Sequence, residues 1–319
     1  MEGNSELLNK ARQVTGQVSH AVLGKEREIR EVFLTFLAGG HVLLNDIPGV
    51  GKTTLALALS KAMALEFGRV QFTPDVMPSD LTGFSVFHRE DSQFVYHPGS
   101  VFCNLLLADE INRTSQKTQS ALLEVMQEGR VTVDGVTREV PKPFLVIATQ
   151  NPSGSSGTQI LPDSQMDRFM TGLSIGYPAF DDELELVLTT GSDSRLDEVS
   201  CVMSQEELIE AQHEVQDVFL KETVARYLVQ LVRATRESQY LELGASPRAA
   251  IALSSMAKAC AWFDGRNYVT PSDVAEQLPY VLSHRIRLNS AAKIEKRDPR
   301  KILEDILNAT ARPPIGIRR

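Results

Sequence analysis

The first half of the chain alternates short apolar runs with segments of helical character. This alternation extends from about residue 20 to residue 177. Apolar runs that alternate with helices are typical of a parallel sheet covered on both faces. The pattern therefore predicts an α/β fold with strands at residues 41–44, 69–72, 104–108, 144–149 and 172–175.

Helical signals dominate the chain after residue 178, where strand signals vanish. Ser204 and Glu207 form a capping box, which opens a long amphipathic stretch to about residue 236. Residues 246–247 and 270–271 each place a Ser or Thr before a proline, the arrangement of a helix N-cap followed by its first residue. We predict a small all-α region in this half.

The two patterns predict two domains, at residues 1–178 and 179–319, the second ending in an irregular tail. Two insertions interrupt the first domain. Residues 73–101 are irregular and contain several prolines, glycines and phenylalanines, whereas residues 129–143 are typical of a β-hairpin turning at Asp134-Gly135. Surface elaboration and contact with a partner or a pore are equally compatible with such insertions.

Candidate chemistry begins in the loop at residues 46–54. Gly49 and Gly51 allow the backbone to curl so that its N–H groups point at phosphate oxygens. Lys52 adds a charge toward the outer phosphates, and the Thr53 hydroxyl can ligate Mg²⁺. The loop predicts binding of a nucleoside triphosphate, with contacts from Pro48, Gly49, Val50, Gly51, Lys52, Thr53 and Thr54.

One position departs from the usual pattern of these loops, because Asp46 stands where the pattern begins with glycine. The alternative interpretation is a chance glycine-rich turn. An apolar run at residues 41–44 and a helix-forming run at residues 55–61 flank the loop, as a phosphate-binding loop requires.

Polar side chains also follow two other apolar runs. Asp109 and Glu110 end one run, and Asn151 follows the run that begins at residue 144. Open α/β sheets place their ligands at the carboxyl ends of strands. We predict that Asp109 holds Mg²⁺, in part through water, that Glu110 activates the attacking water, and that Asn151 orients it.

Composition restricts the function classes. The 319 residues are 42% hydrophobic and 23% charged, with a net charge of −8, which is ordinary for a globular protein and disfavours nucleic acid as a partner. Three cysteines and six histidines show no metal-ligand spacing, so no metal beyond nucleotide-bound Mg²⁺ is expected. Neither a signal segment nor a membrane span is visible, and we predict a cytoplasmic protein.

Taken together, these residues resemble the AAA+ ATPases and, within them, the MoxR family. The resemblance covers roughly residues 15–290. The matching segments are residues 46–54, 72–75, 78–83, 109–113, 119–124, 148–152, 161–162, 167–169 and 246–248. Many MoxR loops are similar to this one in having an acidic residue at the position of Asp46.

The resemblance implies a P-loop NTPase fold with a three-layer αβα core and a helical lid. It implies that Asn151 is sensor 1, Arg168 an arginine finger and Arg248 sensor 2 on the lid. The insertions correspond to a helix-2 insert and a pre-sensor-1 hairpin. It further implies a homo-oligomeric ring of six members, ATP and Mg²⁺ as cofactors, a von Willebrand A domain partner, and chaperone-like maturation or metal-cofactor insertion of an unidentified protein client.

Other interpretations remain open for these arginines. The alternative for Arg168 is a salt bridge with Asp163 or Asp167, and the alternative for Arg248 is a solvated charge at a helix N-terminus. Arg113 suits either an interface or an exposed surface. At the level of the whole protein, the alternatives are a nucleic-acid motor of the same superclade and an ATP-gated scaffold with little turnover.

Overall fold

A computed structural model describes residues 2–90, 92–151, 161–189 and 192–313. Helices α1–α14 span Glu2–Ala21, Glu26–Leu37, Lys52–Ala62, Pro78–Thr82, Gln116–Glu128, Asp163–Met166, Phe180–Leu188, Ser192–Glu198, Gln205–Asp217, Glu222–Glu237, Pro247–Phe263, Pro271–Leu282, Ser290–Ile294 and Pro299–Ala309. Strands β1–β11 span Val42–Asn45, Phe67–Gln71, Phe84–His88, Gln93–His97, Leu105–Asp109, Arg130–Val133, Val136–Glu139, Leu145–Gln150, Thr171–Leu173, Leu241–Leu243 and Arg287–Leu288.

The central sheet is parallel, with strand order β2-β5-β8-β1-β9. Successive side chains of a strand point to opposite faces. In β5, Leu105 and Leu107 accordingly pack in one hydrophobic core, whereas Leu106 and Ala108 pack in the other. Both faces are therefore covered, which explains why the central strands are continuously apolar.

All five predicted strands are present, with boundaries displaced by one or two residues. The displacement at β9 has a visible cause, since this strand ends at Leu173 although the sequence predicted a strand to residue 175. Beyond Leu173 the backbone N–H groups of Ile175 and Gly176 donate to the carboxylate of Asp46 and not to a strand. The strand ends because a side chain replaces the sheet as hydrogen-bond acceptor.

The second half is helical, but the prediction that it lacks strands is wrong. β10 and β11 form a two-stranded antiparallel sheet between Leu241 and Leu288 and their neighbours. These strands have three and two residues and lie far apart in sequence, so no local alternation indicates them.

The amphipathic stretch from residue 204 to residue 236 is also two helices, not one. Between α9 and α10, Phe219 exchanges backbone hydrogen bonds with residues next to Tyr268, at 2.9 Å from its N–H to the Asn267 carbonyl. This bridge uses backbone groups that a continuous helix would bond internally. The predicted N-caps at Ser204, Ser246 and Thr270 are confirmed.

One of the two insertions is as the sequence predicted, and the other is more regular. Residues 129–143 contain the predicted hairpin, with Asp134 and Gly135 at positive φ in its turn. Residues 73–101 were predicted to be irregular, yet they hold helix α4 and a second hairpin, β3–β4. The sequence did not indicate this hairpin, because its strands lack a buried face and hence a polar–apolar alternation. Phe84, Phe87 and Phe94 are exposed. No helix among the described residues is long and apolar enough to cross a membrane.

A buried histidine at the base of the sheet makes stability depend on pH. The Val146 N–H donates to Nδ1 of His41 at 3.1 Å, so Nε2 carries the proton that is shared with the Met126 carbonyl at 3.0 Å. Burial lowers the pKa of His41 to about 4. Its contribution to stability is therefore complete above the ordinary pKa of 6.5 and is lost as the pH falls from 6.5 toward 4.

We expect His41→Gln to flatten the acid side of the stability profile, because glutamine can accept from Val146 and donate to Met126 without titrating. The free energy of unfolding of the unmodified protein should fall by about 3 kcal/mol more than that of the variant between these pH values. Urea denaturation at several pH values measures the difference, with the exposed His213→Gln as control. Equal slopes for His41→Gln and the unmodified protein would contradict the assignment.

Candidate functional site

The loop between β1 and α3 has the conformation that its glycines predict. Gly49 and Gly51 adopt φ values of 85° and 88°, in the left-handed region that favours glycine. α3 begins at Lys52, whose Nζ donates to the carbonyls of Asp46 and Ile47 at 3.1 and 3.3 Å. The free N–H groups at the start of α3 therefore lie beside a curled loop and a lysine, which is an arrangement suited to anions.

The Asp46 side chain explains why the loop departs from the usual pattern. Its buried carboxylate accepts hydrogen bonds from the Ser174 hydroxyl and from the N–H groups of Ile175 and Gly176, at 2.6, 2.7 and 3.0 Å. Glycine at this position would leave the two N–H groups without this acceptor. The carboxylate joins the first residue of the loop to the chain that follows β9.

The two predicted acids lie at the carboxyl end of β5. The Thr149 hydroxyl donates to Asp109 Oδ1 at 2.7 Å and accepts from the Glu110 N–H at 2.8 Å. Arg69 Nη2 donates to the other Asp109 oxygen at 2.9 Å. Glu110 has a φ of 58°, which is unusual for a residue with a side chain and turns the chain sharply after Asp109.

Both carboxylate oxygens of Glu110 have partners. Asn151 Nδ2 donates to Oε1 at 2.7 Å, and Arg113 Nη1 donates to Oε2 at 2.8 Å. Burial raises the pKa of Glu110, but the hydrogen bonds from Arg113 and Asn151 outweigh burial and hold the pKa below its ordinary value. The carboxylate is therefore ionised near neutral pH, as a proton acceptor must be.

The loop and the acids border one cavity of about 650 Å³. This volume lies within the usual range for small-molecule and cofactor sites. The donor set fits a triphosphate with Mg²⁺, because Lys52 and free helix N–H groups suit phosphate, whereas oxygen ligands such as Thr53 and Asp109 suit the cation. The lining consists of Pro48, Gly49, Val50, Gly51, Lys52, Thr53, Thr54, Asp109 and Glu110 with Ala21, Val22, Leu23, Lys25, Arg69, Gln71, Pro178 and Leu186.

Comparisons with known proteins agree with this geometry. The model described as "ATPase family associated with various cellular activities (AAA)" matches residues 41–171, and the model described as "AAA lid domain" matches residues 233–306. Chaperone MoxR1 of Mycobacterium tuberculosis is 35% identical over 99% of this chain and 85% of its own length. The chain belongs to the MoxR family of AAA+ ATPases. Membership implies nucleotide binding.

Further similarities extend over most of this MoxR-family chain. The uncharacterized protein YeaC of Bacillus subtilis is 44% identical over 96% of this chain and 95% of its own. Protein MoxR of Paracoccus denitrificans is 30% identical over 88% of this chain and 89% of its own length. A crystal structure of a candidate ATPase from Cytophaga hutchinsonii has a TM-score of 0.89, with 38% identity and 98% coverage of both chains. The predicted family and its fold, a parallel sheet with a helical lid, are confirmed.

The structure does not bring Arg168 and Arg248 of this MoxR-family protein to the lining of that cavity. Arg168 Nη1 donates to the Leu123 carbonyl at 3.1 Å and borders a second cavity of about 730 Å³. Arg248 Nη2 lies 3.4 Å from Oε1 of Gln127, which borders the same second cavity. Arg168 therefore borders the second cavity and Arg248 lies beside one of its lining residues, whereas Glu110 borders the first.

The salt bridge considered for Arg168 is replaced by other ion pairs. Asp163 pairs with Arg287 at 2.6 Å, and Asp167 pairs with Arg285 at 2.8 Å. Within the part of the chain that the structure describes, Arg168 donates to the Leu123 carbonyl and forms no ion pair.

Arg285 also anchors the segment that contains Arg168. Its side chain is 2% exposed and donates to the carbonyls of Phe169 and Met170 at 2.6 and 2.9 Å, in addition to Asp167. The Ser246 hydroxyl at the N-cap of α11 donates to the second oxygen of Asp167 at 2.8 Å. The helical lid thereby holds residues 167–170 through several charged and polar contacts.

Proposed function

We propose that this MoxR-family protein hydrolyses ATP with Mg²⁺, and that it works as a closed ring of copies that remodels a protein client. The division of the predicted catalytic residues between two faces carries the proposal. The loop and the two acids border one cavity, whereas Arg168 borders another. An active site of this kind is complete only when a second copy supplies the arginine.

The residues of the first cavity have separable roles in this proposal. Lys52 and the N–H groups at the start of α3 hold the phosphates, and Thr53 and Asp109 provide oxygen ligands for Mg²⁺. Mg²⁺ supplies neutralisation of the charge on the phosphate oxygens.

Glu110 accepts a hydrogen bond from the attacking water and takes its proton, and Asn151 fixes the Glu110 carboxylate. Asn151 Oδ1 is buried and has no hydrogen-bond partner among the described residues. This oxygen is thus available to orient the water.

The position of Arg168 along the sheet supports action on a neighbouring copy. Arg168 precedes the first residue of β9, at the amino end of the strands, whereas Glu110 follows the carboxyl end of β5. The four residues of β1 alone separate the two ends of the sheet by about 10 Å. Such a contact is head-to-tail and closes into a ring. We propose that Arg248 reaches the same neighbour, because it borders the same face.

Helix α7 provides a surface for this contact. Its apolar residues Phe180, Leu184, Val187 and Leu188 lie on one stripe and are 46–79% exposed. The adjoining Pro178 and Leu186 line the first cavity, so a molecule that covers the stripe lies next to that cavity. The acidic first turn of α7 also complements a face that presents Arg168 and Arg248. We assign the stripe to a second copy of this chain.

We expect Val187→Asp to weaken self-association about tenfold or more, since a charge would enter an apolar contact. Val187 is 78% exposed in the single chain, so the fold should be unaffected. Sedimentation velocity over a range of protein concentrations measures the shift. Ile294→Asp, at an equally exposed position on α13, is the matched control and should assemble normally. If Val187→Asp assembled at the same protein concentration as the unmodified protein, α7 would not belong to the interface.

The biological role belongs to the same proposal. A relative named a chaperone, Chaperone MoxR1, supports remodelling of a protein client. Six members per ring, a von Willebrand A domain partner, metal-cofactor insertion and a cytoplasmic location stay predictions. We place the boundary between the nucleotide-binding domain and the lid near Pro178, where the chain leaves the loop that Asp46 holds.

The nucleic-acid alternative gains no support from the 129–143 hairpin. Arg138 stacks on the Tyr96 ring at 3.7 Å, and Arg130 pairs with Glu128 at 3.2 Å. Both basic side chains therefore have partners within the chain.

The ATP hydrolysis rate per protomer, measured with Mg²⁺ against protein concentration, tests the proposal. A rate that rises and then reaches a plateau supports a site completed by a second copy. A measurable rate that is independent of concentration, in a protein that sedimentation shows to be monomeric, would contradict completion between copies. The absence of turnover in an assembled, nucleotide-bound ring would favour the scaffold alternative.

A further inference from the structure

An arginine that the sequence patterns did not indicate lies beside the predicted metal ligand. Arg69 belongs to the edge strand β2, which pairs in parallel with β5. Because side chains two residues apart share a face of a strand, Arg69 and Gln71 both point to the nucleotide cavity, where both are lining residues. Arg69 Nη2 reaches Asp109 Oδ2 at 2.9 Å and Gln71 Oε1 at 3.4 Å.

This contact leaves Asp109 with partners on both oxygens. The Thr149 hydroxyl occupies Oδ1 and belongs to the sheet, because it also accepts from the backbone of Glu110. Arg69 occupies Oδ2, and its side chain is 46% exposed, against 14% for Asp109. A half-exposed arginine is exchangeable, whereas the Thr149 contact is fixed by the strand. The oxygen available to ligate a cation is therefore Asp109 Oδ2, which Arg69 contacts.

A structural role for Arg69 explains less of this geometry. β2 is an edge strand and its Arg69 side chain is not buried in either hydrophobic core. The hydrogen bonds that Arg69 makes among the described residues go to Gln71 and Asp109, both of which line the cavity.

We propose that Arg69 is a positioning residue that competes with Mg²⁺ for Asp109. Before the cation enters, Arg69 neutralises the Asp109 carboxylate, which would otherwise repel a triphosphate. When the cation takes Asp109, the released guanidinium remains in the cavity as a further positive charge near the phosphates. Arg69 thus opposes cation entry and favours the cation-free nucleotide. The inference depends on the proposed function, since it concerns the same Mg²⁺–ATP site.

The test measures nucleotide affinity and not turnover. Binding of a fluorescent, non-hydrolysable ATP analogue is titrated with Mg²⁺, and separately measured in EDTA. For Arg69→Ala we expect the half-saturating Mg²⁺ concentration to fall about fivefold and the affinity in EDTA to weaken by a similar factor, since an exposed ion pair is worth this much. A merely structural loss would weaken both measurements, whereas competition shifts them in opposite directions.

Two further variants make the test specific. The control variant Arg226→Ala removes an exposed ion pair with Glu222 and should change neither measurement. In the Asp109→Asn background, Arg69→Ala should no longer lower the Mg²⁺ requirement, because the site of competition is gone. An undiminished shift in that background would overturn the proposal.

The outcomes also separate this inference from the proposed function. If the unmodified protein binds the analogue in a Mg²⁺-dependent manner while Arg69→Ala titrates identically, the competition is refuted and the nucleotide site stands. If the unmodified protein binds no analogue with or without Mg²⁺, the proposed function itself is refuted.

Discussion

Replacement of Glu110 with glutamine is expected to reduce ATP hydrolysis about a hundredfold to ten-thousandfold, the usual contribution of a positioned proton acceptor. The amide cannot take a proton from water, although its size is nearly unchanged. Its oxygen can still accept the hydrogen bond from Asn151. The amide NH2 cannot accept from Arg113, but this arginine is 42% exposed and can turn to water, so the end of β5 should keep its geometry. ATP affinity should be retained, because the loop at Lys52 is untouched.

Single-turnover hydrolysis and equilibrium binding of the analogue measure the two effects separately. Glu304→Gln, an exposed glutamate on α14, is the matched control and should hydrolyse ATP normally. Turnover at the unmodified rate in Glu110→Gln would exclude Glu110 as the acceptor. A parallel loss of binding would indicate that Glu110 mainly supports the shape of the cavity.

Arg168→Ala should lower hydrolysis about a thousandfold or more, since this is the typical effect of an arginine that neutralises the transferring phosphoryl group. The fold should be nearly unaffected, because among the described residues the half-buried guanidinium makes a single hydrogen bond, to the Leu123 carbonyl. Assembly and thermal denaturation of the variant verify this. Arg168→Lys keeps the positive charge but lacks the planar guanidinium with its paired N–H donors, and it should recover part of the rate.

A mixture of two inactive variants distinguishes action between copies from action within one chain. Glu110→Gln retains Arg168, and Arg168→Ala retains Glu110. Contacts between unlike copies join one intact Glu110 to one intact Arg168, so the mixture should hydrolyse ATP although neither variant does alone. A mixture that assembles but stays inactive would contradict a shared site.

Local sequence was sufficient to predict the strand–loop–helix conformation around residues 46–54. Residues 46–54 form the loop, and the strand–loop–helix context is contiguous in the chain. The positions of Asp109, Glu110 and Asn151 at one edge of the sheet were also predictable, because each follows an apolar run and parallel strands end at one edge.

The contacts that the sequence did not indicate join distant residues. Arg69 reaches Asp109 across two strands, and Asp46 reaches the chain after β9. Arg113 lies close in sequence to Glu110, but the two side chains meet because Glu110 caps a short 3-10 helix at Ile111–Arg113, in which residues three apart lie on one side. Such contacts depend on strand order and backbone direction, which hydrophobic patterns leave open. The β10–β11 pair was not predicted for the same reason, since it also joins distant residues.

The contacts of Arg285 with residues 167–170 have a consequence for communication between copies in the proposed ring. Because the lid holds the segment on both sides of Arg168, we expect displacement of the lid in one copy to move this guanidinium relative to the next copy. In such a ring, occupancy of one cavity would be linked to the chemistry of its neighbour by a coupling free energy between sites. Hydrolysis should then depend on ATP concentration sigmoidally, with a Hill coefficient that falls toward unity when Arg285 is removed.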